Sequence, residues 1–255
     1  MRLKEAWNWW WYDVRHPMGL LFFIYALVAG LDFGFAATLV PFLTAAITGG
    51  ILDFFIDRYR NGYWGFPSSG LVTGSIIGLV MSHQSPLWLV MVVTLIAVLS
   101  KVIIQRKGYH PFNPANFGML IGFYFLGSRS TWWGASNLWL VALGGLFVLW
   151  RQRKWWTAAP FLLVFFALRA ATYAAAGDIA GFMPELLASS AVVFFATIML
   201  IEPKTSPARK WPSVAYAITC AALAFGLSFI VKSGDFHLAL ALSNLSVLLW
   251  NRIFK

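Results

Sequence analysis

Three short polar segments interrupt an otherwise apolar chain, and their side chains could hold a cofactor. Residues 66–82 read FPSSGLVTGSIIGLVMS, residues 107–123 read KGYHPFNPANFGMLIGF, and residues 199–207 read MLIEPKTSP. Each segment combines hydroxyl, amide or carboxylate groups with glycine or proline. Irregular backbone at the edge of a membrane is normally buried in protein or lines a cavity, because lipid offers no hydrogen-bond partners. A functional site is therefore expected at these segments.

The first segment has glycines four residues apart, so Gly70, Gly74 and Gly78 fall on one helix face. Such a stripe is typical of close helix packing. The hydroxyls of Ser68, Ser69 and Thr73, together with free amides at the helix start, could instead hold a ring carbonyl or a phosphate. The sequence leaves both interpretations open, and they are compatible.

The second segment has two prolines that lack amide hydrogens, Pro111 and Pro114, beside two side-chain amides that can replace them, Asn113 and Asn116. The structural alternative to a binding role is a helix start, with Asn113 as the N-cap and Pro114 as the first helical residue. His110 is predicted to be an interfacial histidine and not a ligand.

The third segment ends an apolar run with an acid, two prolines and two hydroxyls. Glu202 lies at the predicted membrane edge, where a carboxylate is costly unless it is paired or functional. An exposed pair with Lys204 is the structural alternative. Thr205 and Ser206 supply the hydroxyls.

Other kinds of redox or metal site find little support. Arg169, inside a predicted span, is expected to pair with Asp178 or Asp32. The only cysteine, Cys220, excludes disulfides and an iron–sulfur cluster held by this chain alone. A transmembrane haem needs axial histidine pairs, but the histidines are predicted to lie two at each membrane face: His16, His83, His110 and His237. No phosphate loop, dinucleotide fingerprint or metal-spaced cluster is visible.

The composition, 60% hydrophobic and 11% charged, is that of an integral membrane protein. The uncharged runs predict about ten transmembrane helices: 17–31, 33–52, 66–82, 86–104, 112–127, 132–150, 156–174, 186–201, 212–231 and 237–250. We therefore predict an all-α membrane protein with a five-plus-five inverted repeat and broken helices. It forms a single transmembrane domain, residues 1–255, with an interfacial N-terminal segment (1–16), a first half (17–127) and a second half (128–255).

Basic residues collect in alternate loops, and only Arg129 and Lys232 fall on the other side. The positive-inside rule then predicts that both termini are cytoplasmic, in the inner membrane of a prokaryote. The formal net charge of +10 is spread over several loops. It therefore indicates topology and membrane lipid, not nucleic acid.

Taken together and in order, the three segments resemble one family: the D subunit of Rnf electron-transport complexes and the B subunit of the sodium-pumping NADH:quinone reductase. The similarity is carried by SSGLVTGSIIGLV, by KVIIQRKGYHPFNPANFG with its FNPA break, by IEPKTSP, and by a final helix resembling LALALSNLSVLL. It extends over roughly residues 15–250. The family usually has aspartate at the position of Glu202.

The resemblance implies a ten-helix inverted-repeat fold that holds flavin and passes electrons within a larger complex. The cofactor-binding positions that it implies are Ser69, Gly70, Thr73, Gly74, Asn113, Pro114, Asn116, Glu202, Thr205 and Ser206. The family attaches a covalent flavin to a threonine in a Ser/Thr-rich segment of mid-chain, and neither GSRSTWWGASNLWLVALGG nor AGDIAGFMPELLASS supplies that motif. We therefore expect a noncovalent flavin, FMN or riboflavin, and other subunits of a redox complex as partners.

Two other functions remain open at this point. The same inverted-repeat plan could conduct a small solute or a flavin-like vitamin, as a channel or carrier. The chain could also be a membrane anchor that docks soluble subunits through its basic loops. A tightly retained chromophore would favour electron transfer, and solute flux without colour would favour a channel.

Overall fold

The computed structural model describes residues 10–62, 64–105, 110–231 and 234–254, and this part of the chain is helical. The first half contains α1 (Arg15–Phe33), α2 (Phe35–Asn61), α3 (Ser68–Val80), α4 (Leu87–Ile103) and α5 (Pro114–Leu126). The second half contains α6 (Leu138–Gln152), α7 (Trp155–Ala175), α8 (Phe182–Leu187), α9 (Ser190–Phe194), which continues as a π-helix (Phe195–Met199), α10 (Lys210–Leu227) and α11 (Asp235–Ile253). Within these ranges no strand forms, which confirms the all-α class.

Three helices, α1, α2 and α7, are long and apolar enough to cross a membrane. A fourth crossing results if the segments 179–187 and 190–199, which meet at a 60° bend, are counted as one broken span. The helices α3 to α6 are apolar but shorter. Each of the ten predicted runs contains a helix in the described part of the chain, while ten full crossings and an inverted repeat stay predictions.

The glycine stripe of α3 packs directly on α2. A Cβ atom added at Gly70 would lie 2.1 Å from the backbone oxygen of Gly49, and one added at Gly74 would lie 2.1 Å from that of Ala45. Real Cβ atoms do not approach backbone oxygens this closely. The packing interpretation of the stripe is therefore confirmed, and it fixes the start of α3 beside the end of α2.

The start of α5 follows the capping pattern seen in the sequence. The side chain of Asn113 accepts a hydrogen bond from the backbone amide of Asn116 at 3.0 Å, and Pro114 is the first helical residue. At its other end the helix stops at Gly127, whose φ of +70° suits a residue without a Cβ atom. The residues 107–109 of this motif lie outside the described part of the chain.

After α5 the chain turns back into the protein and does not enter the next helix at once. The backbone amides of Thr131 and Trp132 both donate to the carbonyl of Val80 at the end of α3. A short 3₁₀ turn, Trp133–Ala135, follows, and α6 begins only at Leu138. The predicted span 132–150 was therefore wrong for its first six residues, because these residues fill the space between the halves.

The second half repeats some contacts of the first. The helix α4 packs on α2 and α5, while α10 packs on α7 and α11, and α5 joins the halves by packing on α11. Aromatic rings fill the space between these helices. The ring centroids of Phe161 and Phe195 are 5.3 Å apart, and those of Phe195 and Phe236 are 5.0 Å apart.

Candidate functional site

A cavity of about 590 Å³ opens where the N-terminal turn, the end of α2, the start of α3 and the end of α4 meet. Its wall is strongly charged, since it is lined among others by Asp13, Arg15, Asp53, Ser69, Lys101 and Lys204. Lys204 brings the third polar segment to the cavity. We refer to this space as the α3 cavity.

Lys101 is the buried cation of the α3 cavity. Its side chain is only 9% exposed, and its ammonium donates to the backbone oxygen of Ser69 at 3.0 Å and to the hydroxyl of Ser69 at 2.9 Å. The carboxylates of Asp53 and Glu202 act on it electrostatically. A buried ammonium needs such partners, because burial without them would favour loss of its charge.

Asp53 caps the helix that carries Ser69. Its carboxylate accepts a hydrogen bond from the backbone amide of Gly70 at 2.7 Å, and the residue is 8% exposed. A carboxylate at this place is favourable, because the helix start carries a partial positive charge. It also occupies an amide that a bound phosphate would need. The amide of Gly70 is therefore not free to bind either a ring carbonyl or a phosphate.

The N-terminal turn adds an ion pair at the rim. The guanidinium of Arg15 lies 2.6 Å from a carboxylate oxygen of Asp13. Burial acts to raise the pKa of Asp13, but the hydrogen bonds and charge of Arg15 outweigh it and hold this pKa below its usual value. The pair is thus ionised at neutral pH. The other cations that line the cavity form no ion pair within the described residues: Arg60, Lys101 and Lys204.

His110 lies in the wall of the α3 cavity. Burial, together with the charges of Lys204, Lys101 and Arg60, lowers its pKa to about 4. The imidazole is therefore neutral at pH 7. Its Nδ1 atom is buried and has no hydrogen-bond partner in the described part of the chain.

Glu202 does not form the exposed pair with Lys204 that was considered from the sequence, because no ion pair joins these two residues. Burial raises the pKa of Glu202 to about 7, although the charge of Lys101 acts in the opposite direction. The backbone oxygen of Glu202 accepts hydrogen bonds from the amides of Thr205 and Ser206. The hydroxyl of Ser206 also donates to it, at 2.8 Å. These bonds form the tight turn of the third segment.

The second and third segments meet at the centre of the protein. The side-chain amide of Asn113 donates to the backbone oxygen of Met199 at 3.0 Å. Asn244 of α11 joins them again: its side-chain oxygen accepts from the backbone amide of Asn113 at 3.2 Å, and its side-chain nitrogen donates to the backbone oxygen of Thr205 at 3.2 Å. The second and third polar segments are therefore joined by direct hydrogen bonds and through Asn244.

A second set of bonds ties α5 to α11. Asn116 donates to the backbone oxygen of His237 at 2.9 Å, and its side-chain oxygen lies 2.8 Å from the Nδ1 atom of His237. Since an amide oxygen only accepts, Nδ1 carries the proton and Nε2 accepts from the hydroxyl of Ser130, at 2.8 Å. The ring of Trp132 stacks on this imidazole with centroids 5.3 Å apart. We refer to Asn113, Asn116, His237 and Asn244 as the polar centre.

The structure distributes the predicted cofactor residues over three places. Of the ten, Ser69 lines the α3 cavity. Gly70 and Gly74 lie in the contact with α2, and the hydroxyl of Thr73 donates to the backbone oxygen of Ser69. Pro114, Asn113 and Asn116 belong to the start of α5 at the centre. Glu202, Thr205 and Ser206 form the turn between the two, and Ser206 accepts a hydrogen bond from Lys154 at 2.9 Å.

Two residues of the cavity, Asp53 and Lys101, were not singled out as site residues from the sequence. Lys101 lies within the predicted span 86–104 and Asp53 directly follows the predicted span 33–52, and an ionisable residue inside a membrane span is by itself a sign of function. Their separation from Ser69 along the chain did not predict that they would lie next to it. Only the packing of α2 and α4 around the start of α3 brings them together.

One other expectation was wrong. Arg169 pairs with Glu185, at 2.5 Å, and not with Asp178 or Asp32. Glu185 lies on the short helix α8, which folds back toward α7. The placement of the histidines at the two membrane faces stays a prediction, and His237 is 1% exposed in the polar centre.

Comparison with known families gives one match. Residues 14–133, just under half of the chain, match the model of the NQR2, RnfD, RnfE family. The match includes the first two polar segments and confirms the resemblance inferred from them, while the third segment lies outside it. No curated protein matches the chain.

Proposed function

We propose that this protein is an electron-transfer subunit that holds a noncovalent flavin. The premise is the match of residues 14–133 to the model of the NQR2, RnfD, RnfE family. The family supports a membrane subunit of an Rnf- or Nqr-type electron-transport complex, so other subunits are its expected partners. The flavin, FMN or riboflavin, is our proposal for the occupant of the α3 cavity. The observation that carries this proposal is the pairing of Ser69 with the buried Lys101 at the cavity wall.

The size and lining of the α3 cavity suit a flavin ring. Its volume of about 590 Å³ falls within the range of roughly 300 to 1,000 Å³ usual for small-molecule sites. The ammonium of Lys101, the hydroxyl of Ser69 and the amide of Gln105 are donors for ring carbonyls and ring nitrogens. Phe66 and Tyr12 add aromatic surface to the wall.

A bound flavin supplies one- and two-electron redox chemistry, and the protein sets its orientation and potential. The positive charge of Lys101 would stabilise negative charge that arrives next to Ser69. Glu202 acts electrostatically on Lys101 and, with a pKa near 7, can hold or release a proton at its carboxylate. The chain thus places a buried ammonium at the cavity wall and, within its electrostatic reach, an acid with a pKa near 7.

The same proposal includes the membrane arrangement. The paired contacts of α4 and α10 support a repeat of five helices in each half. The basic loops at the ends of α2, α6 and α11 support cytoplasmic termini in a prokaryotic inner membrane.

The channel alternative gains no support from the polar centre. Trp132, His237 and the phenylalanines around them fill the space between the halves, and the amides there bond to one another. A solute path would need polar groups that face an open space. The packed centre therefore favours a retained cofactor.

The direct test is an absorption spectrum of the purified protein before and after acid precipitation. We expect flavin absorbance that acid releases into the supernatant. Lys101→Gln and Ser69→Ala should each lower the flavin content about tenfold, because a hydrogen bond to a charged group contributes roughly 1.5 to 3 kcal/mol. Glu202→Gln should keep the flavin and change its reduction.

Lys154→Gln is the matched control. Lys154 is also a partly buried lysine with two hydrogen bonds, to Ser206 and Pro207, but it does not line the α3 cavity. It should retain flavin at the wild-type level. A colourless wild type, or equal loss in Lys101→Gln and Lys154→Gln, would contradict the proposal. Flavin fluorescence that stays with the denatured band would show a covalent attachment instead.

A further inference from the structure

A second charged surface lies apart from the α3 cavity, where α7 and α10 begin. The two helices pack against each other, and their first residues are Trp155 and Lys210. We refer to the residues at this place as the Trp–Lys patch: Lys154, Trp155, Trp156, Arg209, Lys210 and Trp211.

Lys210 lies between two indole rings. Its ammonium is 3.9 Å from the ring centroid of Trp156 and 5.1 Å from that of Trp211. A cation within about 6 Å of a ring face is attracted by the electron density of the ring. The position of the charge is therefore fixed at the level of the two rings.

The indole rings are only half covered by protein. Trp156 is 50% exposed and Trp211 is 60% exposed. Half-exposed tryptophans with a polar N–H and an apolar ring are typical of the boundary between hydrocarbon and headgroups. Lys210, held against them, must then lie at the depth of the lipid phosphates.

The cations of the patch have no acidic partner among the residues that the structure describes. The ion pairs among the described residues are Arg15 with Asp13 and Arg169 with Glu185, both outside the patch. Neither α7 nor α10 has an acidic residue in its first turn. Lys154 is held by internal bonds to Ser206 and Pro207, while Arg209 and Lys210 are exposed.

We propose that the Trp–Lys patch binds the phosphate headgroup of an anionic phospholipid. Arg209 and Lys210 contact the phosphate, and the rings of Trp156 and Trp211 contact the glycerol and upper acyl region. A free inorganic phosphate would use the cations but not the rings. Trp155 is 43% exposed, so the patch has three part-exposed indoles. An acidic soluble protein would not need them, whereas a lipid accounts for both the cations and the rings.

The test counts lipids retained by the protein in native mass spectrometry, with phosphatidylglycerol and phosphatidylcholine added separately. The wild type should retain phosphatidylglycerol in preference. Arg209→Gln with Lys210→Gln should weaken this retention by about ten- to thirtyfold, since each basic residue near an anionic surface contributes roughly 1 kcal/mol. Trp156→Leu with Trp211→Leu should weaken it less while keeping the preference for the anionic lipid.

The matched control is Arg129→Gln with Arg252→Gln, which removes the same charge at exposed positions outside the patch. It should keep the wild-type retention. Equal loss in the control would show a non-specific charge effect and overturn the proposal. Displacement of the lipid by millimolar inorganic phosphate would also overturn the proposal. Unchanged lipid retention in the patch variant, together with loss of a co-purifying subunit, would overturn it as well. Flavin content, measured on each sample, verifies that the variants are folded and is independent of the lipid result.

Discussion

The polar centre and the α3 cavity differ in what their polar groups bind. In the polar centre, Asn113, Asn116 and His237 bond to one another and to backbone atoms of both halves. In the α3 cavity, Lys101 and Ser69 bond to each other but also face about 590 Å³ of space. Buried polar side chains thus join helices in one region and line an open cavity in the other.

This difference shows how polar groups inside a membrane protein can be sorted. A buried amide whose donors and acceptors all have protein partners stabilises the fold, and its loss leaves those partners unsatisfied. A buried cation beside open space has capacity left for a ligand. Variants of the polar centre should therefore change stability, and variants of the cavity should change ligand retention.

The largest effect is expected from Asn116→Leu. The change removes the two bonds from the Asn116 side chain to His237 and leaves the Nδ1 atom of His237 without a partner, which should cost about 3 kcal/mol and lower the midpoint of thermal unfolding by roughly 6 to 12 °C. Unfolding in detergent, followed by tryptophan fluorescence, measures it. Asn251→Leu, at an exposed position of α11, is the control and should change little. An unchanged midpoint for Asn116→Leu would show that the centre does not hold the halves together.

Gly74→Ala should come next, with a loss of about 2 kcal/mol from overpacking. The added Cβ would lie 2.1 Å from the backbone oxygen of Ala45, and backbone cannot move aside as a side chain can. Gly226→Ala is the control, because a Cβ there meets nothing within 4 Å. Since Gly74 and Ser69 share α3, we also expect partial loss of flavin. Equal midpoints for the two variants would mean that α2 and α3 are not packed this closely.

A smaller effect should appear as a pH dependence at His110. Its folded-state pKa of about 4 lies below the usual value of about 6.5. Between these values the unfolded state binds a proton that the folded state does not, so stability falls as the pH decreases from about 6.5 toward 4. His110→Gln should show a smaller fall over this range. Identical pH profiles would place His110 in water and not in the cavity wall.

The smallest effect is expected from the Arg169 and Glu185 pair, which is partly exposed. A double-mutant cycle with Arg169→Gln and Glu185→Gln should give a coupling energy of about 0.5 to 1 kcal/mol. The coupling should decrease when salt is added, because exposed charges are screened. Flavin content should not change in any of the three variants, since the pair lies in neither the cavity nor the centre. A coupling energy larger than the free energy of unfolding lost in Asn116→Leu would contradict the expected order of these effects.

Part of the site was predictable because it depends on local chemistry. Asn113 before Pro114 has the pattern of a helix cap, and the structure has that cap. Glycines four apart predicted the close contact of α3 with another helix. The partner of Arg169 was not predictable in the same way, because the choice among nearby acids depends on how α8 folds back toward α7.

The sequence by itself determined the membrane class, the helical runs, the cap of α5 and the family resemblance of residues 14–133, because composition, periodicity and short motifs are local properties of the chain. Only the tertiary structure decided that Asp53 and Lys101 meet at Ser69, and that residues 128–137 turn back to place Trp132 on His237. These contacts join residues that are 17 to more than 100 positions apart. They depend on which helix faces pack together, and a single sequence does not encode that choice in any local pattern.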